Sequence, residues 1–568
     1  MYTRQIGGSI RTMTGNGSAK LEVHTVGPHP ILRYFLGRMT FVRIANSCLG
    51  MAKDSRLSHA ETLAILIQNI ILSPAPLYRI AQWADPIDHE ALGLTTAQKS
   101  ALNDDRFARS LDALSSQRAR SLFFRLALHV IKEFRLDTSR IHHDTTTVTF
   151  HGRYSSSVLP PKITHGVNKD HRPDLKQLVF GLNVTSDGAV PISHEIHSGN
   201  RSDDSIHCGN LERLRKFLKK TDFIYVADSK LCTRKNMQDI EEHRGRFVTV
   251  MPRTRSEDSK FRSDIRRGKL KARWRKLVEI PNSRKSNVVD TYWTTSDGTQ
   301  ETEEGYRIVW CRSSQKIAND ALAREAALDR AEDDLADLSS KLERGRPPSV
   351  SSTKKKVKAI LRKHRCEGLI AVTVAVQTEV STKRLRPGRP AKNDPIKKVK
   401  SKSIRLTFER DETAIKENTR TDGVFPLVSN LDNGYSKREI LLIYKYQPYV
   451  EKRHALFKSE LGIAPVYLKK PQRAAGLVHA TFLAMTIDAL IERTVRKNME
   501  KYEVNSLPIL PEGRPSKAPT TARILEAFSG VGWYEFQRGP ETVTFPIKLD
   551  SLQRELLKLL GINRSAYQ

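Results

Sequence analysis

Three carboxylates stand where the surrounding sequence gives them chemical use. Asp144 lies inside the Thr- and Val-rich run SRIHHDTTTVTF, which reads as a strand. Burying an unpaired carboxylate there costs on the order of several kcal/mol. Asp228 follows the apolar run FIYVA, at the carboxyl end of a short buried strand, where open α/β sheets build their sites. Glu451 sits on the helix that Pro448 begins, and Lys458 falls on nearly the same helical face. Each has an ordinary reading: an edge-strand residue in water, a turn cap, one more charge on a basic helix. Together they match a specific need, hard oxygen ligands for two divalent ions about 3.5–4 Å apart. Such a pair serves in-line displacement at phosphorus. One ion activates a water or sugar hydroxyl and the other stabilises the leaving oxygen.

Other chemistries find less support. His142, His143, His151 and His165 crowd the first acidic strand, but without cysteines or an HExxH arrangement they do not spell a zinc site. The five cysteines are scattered, with no CxxC pair, which argues against a disulfide framework and fits a reducing cytosol. There is no GxxxxGK[ST] loop for a nucleotide and no serine or cysteine set up as a nucleophile.

Charge names the partner. The chain of 568 residues has 96 Lys+Arg against 63 Asp+Glu, a net of +33, which calls for a polyanion, nucleic acid before an anionic membrane. The excess is concentrated: 20 Lys/Arg face 4 Asp/Glu from Lys341 to Arg405, and 11 face 3 from Arg253 to Lys276. Gly-Arg-Pro tripeptides recur in ERGRPP, RPGRPAK and EGRPSKAP. They read either as loop punctuation or as extended minor-groove contacts, with Arg344, Arg346, Arg386 and Arg389 the candidate DNA-binding residues. Hydrophobic residues at 38% and charged residues at 28% indicate real cores under a polar surface. No uninterrupted apolar run reaches the roughly 18 residues of a membrane span, and the N-terminus lacks the pattern of a signal peptide.

The elements that must hold these groups follow from local patterns. Residues 1–25 read as a disordered leader and 26–135 as a helical N-terminal domain that could bind DNA ends. Its Ser58–Glu61 capping box precedes the apolar run TLAILIQNIIL. From 136 to 252 strands dominate; LVFGLNV and AVPISHEI flank Thr-Ser-Asp-Gly as a hairpin, and a helix precedes FIYVA. A meander followed by a helix and a buried strand predicts an α/β fold, a mixed sheet covered by helices. Residues 253–420 read as a basic, β-rich insertion with a long charged helix and its own small core. The main pattern resumes over 421–495, with a second capping box at Ser436–Glu439, and 496–568 read as a helical C-terminal region suited to dimerisation, around a possible strand at ETVTFPI.

The third acidic segment, YKYQPYVEKRHALFK, carries Tyr444, Gln447, Glu451 and Lys458 at the spacings of a Tyr-x2-Arg-x3-Glu-x6-Lys motif. With IHHDTTTVTFHGRY and YVADSKLCT, the chain resembles bacterial insertion-sequence transposases of the DDE class, in the subgroup with a β-rich insertion before the catalytic Glu. Gln447 stands where that motif has Arg, and Arg453 is the candidate substitute. The resemblance is strongest over about 139–250 and 420–495. It implies a ribonuclease-H-like core split by the insertion, and Asp144, Asp228 and Glu451 as catalytic residues holding two Mg²⁺ or Mn²⁺ ions. It further implies DNA contacts from Tyr444, Arg453 and Lys458, and action on terminal inverted repeats and target DNA by a homodimer in a synaptic complex. The setting implied is the bacterial cytoplasm, at the nucleoid. A stand-alone nuclease of the same fold and a non-catalytic DNA-binding protein are the rival readings.

Overall fold

A computed structural model describes residues 10–12, 19–50, 56–154, 161–202, 205–281, 288–343, 349–384, 396–463, 468–538 and 540–568. The chain forms two compact units, Met1–Thr249 with Leu442–Gln568, and Val250–Leu441.

The first unit is built on a mixed sheet. Its strands are β1 (Arg140–Phe150), β2 (Lys176–Thr185), β3 (Pro191–Ser198), β4 (Ile224–Ala227) and β5 (Arg246–Val250), in the order β3-β2-β1-β4-β5. β1, β2 and β3 form an antiparallel meander, and β4 and β5 run parallel to β1. The hairpin between β2 and β3 turns at Thr-Ser-Asp-Gly, where Gly188 takes φ +103°, a conformation glycine adopts without a Cβ clash. Helix α1 (His207–Leu218) links β3 to β4, and α2 (Arg234–Glu242), capped by Thr233, links β4 to β5. Parallel neighbours need such crossovers.

Two later helices complete this unit, α3 (Pro448–Ser459) and α4 (Pro471–Lys501). α4 is apolar on nearly every side and is buried over most of its length, so other helices must surround it. The N-terminal helices supply that cover. A Cβ added at Gly476 would collide with the Leu111 carbonyl oxygen, so glycine permits the close crossing with the helix Asp104–Leu114. Arg473 pairs with Asp112 at 3.1 Å, and Arg493 Nη1 donates to the Phe134 carbonyl at 3.1 Å. Residues 26–135, expected as a separate domain, therefore share a core with α4. Sequence distance concealed this, because each helix shows its own apolar face but not what covers it. The Ser58–Glu61 capping box forms as its residues indicate.

The expectation of a disordered leader over 1–25 is corrected in part. Ala19–Thr25 is a strand paired with Ile10–Thr12 on one side and Gly532–Arg538 on the other. The last of these forms a hairpin with Glu541–Phe545, so the C-terminal region is not wholly helical. Only the pairing of Ala19–Thr25 with Gly532–Arg538 joins opposite ends of the chain, and no local pattern records it.

The second unit has an antiparallel sheet in the order Val424–Ser429, Arg307–Ser313, Val289–Thr295, Arg275–Pro281. Two helices, Ser314–Glu343 and Val350–His364, and a ribbon of Ile370–Arg384 with Ile396–Arg410 enclose a small core around Leu328, Leu335, Val357, Ile404 and Leu406. The unit extends past residue 420 because Val424–Ser429 pairs with Arg307–Ser313. The Ser436–Glu439 box is formed here, with both reciprocal hydrogen bonds present.

Two buried histidines give the first unit an acid-sensitive interior. His29, hydrogen-bonded to Gln68, is pushed down to about 4 chiefly by burial, as is His479 beside His194. Both are neutral in the fold, while the unfolded chain takes up their protons near 6.5. Their stabilisation is complete above that value and declines as pH falls from about 6.5 toward 4, by on the order of 3 kcal/mol for each group. Melting temperature measured against pH at fixed salt should fall through that window; a flat profile would refute the assignment.

Candidate active site

β1 is buried from Ile141 to Phe150 with a single break, Asp144, which is 21% exposed at its side chain. Between Ile141 and Phe150 a long buried strand therefore opens to solvent only at a carboxylate. Asp144 Oδ1 accepts from the Thr145 amide at 2.8 Å. β4 is buried throughout and ends at Ala227, and Asp228 follows it, half-buried, accepting from the Lys230 amide at 3.1 Å. The hydroxyl of Thr249 on β5 holds the Asp228 carbonyl at 2.6 Å. β1 and β4 pair in the register Ile141↔Tyr225 and His142↔Val226. The pairing ends there, so Asp144 and Asp228 each lie two positions beyond the last paired residues of two neighbouring strands.

Glu451 is exposed in the first turn of α3. Its charge, like those of the two aspartates, reaches Tyr444. Burial first, then the negative charges of Asp228, Glu451 and Asp144, push the half-buried Tyr444 phenol well above its usual range. All three acids thus bear on one hydroxyl, which keeps its proton at neutral pH.

Gln447 has a structural task. Its Oε1 accepts from His142 Nδ1 at 3.1 Å and its Nε2 donates to the His143 carbonyl at 2.7 Å. A buried amide at the start of α3 thereby ties the Glu451 helix to the Asp144 strand, where an arginine would bring an uncompensated buried charge. His454, three positions after Glu451, was not singled out by the sequence, although its helical spacing was the available signal. Its Nε2 lies 3.8 Å from Asp144 Oδ2, and burial, with the charge of Lys169 adding to it, pushes its pKa down to about 3.

The cations divide into two kinds. Lys458 Nζ holds Asp170 at 2.7 and 2.8 Å, and Lys169 Nζ holds the carbonyl and hydroxyl of Thr145, each at 2.7 Å. Lys169 and Asp170, within the segment HGVNKDHR, are neighbours of the site that residue type alone did not reveal. Arg453 is a correction: it points into the protein and is not a DNA-contact residue. Its guanidinium donates to Asp488 and Glu492 of α4, each at 2.9 Å, and to the carbonyls of Gly188 and Ala189, each at 3.1 Å. One-dimensional spacing placed Arg453 near Glu451 but carried no information about direction; two residues along a helix turn the side chain to another face. Arg344, Arg346, Arg386 and Arg389 lie outside the described residues. The third Gly-Arg-Pro sequence is a loop in which Arg514 folds back onto the Pro511 carbonyl at 3.3 Å.

Asp144, Asp228 and Glu451 offer oxygen donors only, the ligand set that Mg²⁺ or Mn²⁺ takes. Among the described residues, no three His, Cys, Asp or Glu are already drawn together closely enough to enclose an ion. Two carboxylates 5 Å apart repel by roughly 3 kcal/mol at an effective dielectric of 20, so three need a counter-charge to close up. By donor chemistry the set fits a divalent ion.

Residues 21–128 match a family model described as a domain of unknown function, DUF4277. No curated protein matches the chain. Among solved structures, a Mos1 transposase paired-end complex with left transposon end is similar at 14% identity and a TM-score of 0.14, covering 34% of this chain and 59% of that one. A pre-cleavage Mos1 transpososome gives 14% identity and 0.14, over 34% and 60%. A piggyBac transposase synaptic complex with hairpin DNA gives 9% identity and 0.28, over 81% of this chain and 80% of that one. This chain thus spans under two thirds of the Mos1 chains. Likenesses at this level decide neither fold nor activity.

Replacing Arg453 by Met should leave Asp488 buried without its counter-charge and Glu492 with Arg496 alone, and cost about 3–5 kcal/mol in urea unfolding. DNA affinity of the folded fraction should not change. A variant of normal stability that binds DNA less tightly would return Arg453 to the DNA surface.

Proposed function

We propose that this chain is a DNA transposase of the DDE class, with a ribonuclease-H-like core in its first unit. The observation that supports the reading is the placement of Asp144 at the one solvent-reaching position of buried β1 and of Asp228 directly after its parallel neighbour β4, with Glu451 in the first turn of α3. A mixed sheet with one aspartate on its central strand and another at the end of the parallel neighbour is the arrangement such a core is expected to have. Two Mg²⁺ or Mn²⁺ ions held by the three carboxylates would activate the attacking oxygen and neutralise the leaving one.

The chain's own residues perform the positioning. Tyr444, protonated at neutral pH, can donate its hydroxyl proton to a phosphate oxygen. Lys458 can exchange Asp170 for a phosphate, and Lys169 places a second positive charge beside Thr145. His454 stays neutral and fills the space behind Asp144 without adding charge. In the proposed reaction water adds to the scissile phosphorus at a terminal inverted repeat, and the 3′-oxygen leaves as a hydroxyl. That hydroxyl then attacks a target phosphodiester, joining the strands and displacing a target 3′-oxygen. The assembly is a homodimer holding both ends, working in the bacterial cytoplasm at the nucleoid.

Purified protein should cleave and join linear DNA bearing its element ends when Mg²⁺ is supplied. Asp144→Asn, Asp228→Asn and Glu451→Gln should each lower both reactions by about a hundredfold or more, with DNA affinity and melting temperature retained. Undiminished cleavage in all three variants would overturn the site. Cleavage without joining would identify a stand-alone nuclease, and binding with neither reaction a non-catalytic DNA-binding protein.

A further inference from the structure

The ribbon of the second unit is anchored at one end and bare at the other. Its arms pair continuously from Ile370↔Arg410 to Arg384↔Ile396. At the base, Ile370, Ile404 and Leu406 are buried with Leu328, Leu335 and Val357 from the two helices. Among the described side chains, the shelter stops at Ala375. Ala375, Gln377 and Thr378 are exposed, and Val376 and Val380 stand 51% and 57% exposed. Successive strand residues point to opposite faces, so exposure of four in a row means that both faces are in solvent. At about 3.3 Å per residue, the stretch Val376–Arg384 extends roughly 30 Å.

A two-stranded ribbon without a core is marginal in water, and the charge on this one opposes its folding. Its outer strands contain Lys383, Arg384, Lys397, Lys398, Lys400 and Lys402 against the single acid Glu379. The backbone register sets Lys383 directly opposite Lys397. Lys398 and Lys402 are both exposed, and their spacing along the strand puts them on one face. A polyanion would supply the missing counter-charge. A flat anionic membrane would meet one face only, whereas the DNA major groove, about 12 Å wide, admits a two-stranded ribbon and surrounds it.

We propose that the outer half of this ribbon, Val376–Arg384 with Ile396–Ser403, is a DNA-binding arm that lies in the major groove. Its lysines and arginine meet phosphates on the groove walls, and Val376 and Val380 provide apolar contact of the kind a thymine methyl accepts. Most of the binding is independent of sequence, because phosphates carry it. The arm rests on the proposed function only in taking DNA as the partner, and it requires nothing of the three carboxylates.

The test compares full-length wild-type protein with the K398Q/K400Q/K402Q variant on double-stranded DNA across a salt series. The logarithmic salt slope should become shallower by about 0.9 for each phosphate left unneutralised, up to about 2.7, with affinity at low salt at least about tenfold weaker. A K354Q/K355Q/K356Q variant makes the same charge change on the exposed side of the helix Val350–His364 and should shift the slope much less. Melting of the ribbon variant should be unchanged or slightly raised, since repulsion is relieved. An unchanged slope, or an equal loss in the two variants, overturns the arm. So does a variant that loses binding to anionic phospholipid vesicles while its DNA slope is unchanged. Asp144→Asn protein should keep the wild-type slope. Failure of the wild-type protein to cleave DNA would sink the carboxylate reading and leave the slope comparison to decide the arm by itself.

Discussion

The hydrogen bonds of Gln447 hold together what electrostatics would push apart. Asp144, Asp228 and Glu451 carry like charges, and a loose mounting would let them separate. The two aspartates cannot separate far, since β1 and β4 are adjacent, buried and in register. Glu451 arrives on a helix from a distant part of the chain, and its position depends on how that helix is fastened. Gln447 fastens it twice to β1, through the His142 ring and the His143 carbonyl, in a buried setting where an unmade hydrogen bond is costly. The departure from the Tyr-x2-Arg-x3-Glu-x6-Lys motif thus coincides with the joint between the two halves of the site.

The same logic of internal neutralisation extends outward. Arg453 leaves α3 on the side away from Asp144 and meets Asp488 and Glu492 inside α4, where burial raises Asp488 and the guanidinium opposes that rise. Arg493, one position beyond Glu492, returns to Asp187 in the hairpin turn and to the Phe134 and Arg135 carbonyls. An apolar helix that alone would need only covering is thereby keyed in rotation to the sheet, because charged partners demand direction whereas apolar contact does not. The N-terminal helices gain their place in the first unit through this helix.

In the second unit charge is sorted differently. Arg324 pairs with Asp422 at 2.7 Å and Arg410 gathers Glu325, Asp329 and Glu332 at the base of the ribbon. Acidic residues of the long helix are engaged near the core, which leaves the outer ribbon with its excess of lysine. The net charge of +33 is therefore no uniform coat. Part of the arginine complement is structural, as Arg324, Arg410 and Arg453 are.

Local rules determined what the sequence could show by itself. Alternating Thr and Val made β1 visible, Thr-Ser-Asp-Gly made the hairpin visible, and Ser58–Glu61 and Ser436–Glu439 marked two helix starts, because strand period and caps involve residues a few positions apart. The order and types of the three acids were legible for the same reason. Tertiary structure alone decided that Arg453 turns inward and Tyr444 toward the acids, that His454 backs Asp144, and that Ala19–Thr25 finds its partner at Gly532–Arg538. A side chain's direction depends on what packs against its element. Those partners come from far along the chain, where no local periodicity records them.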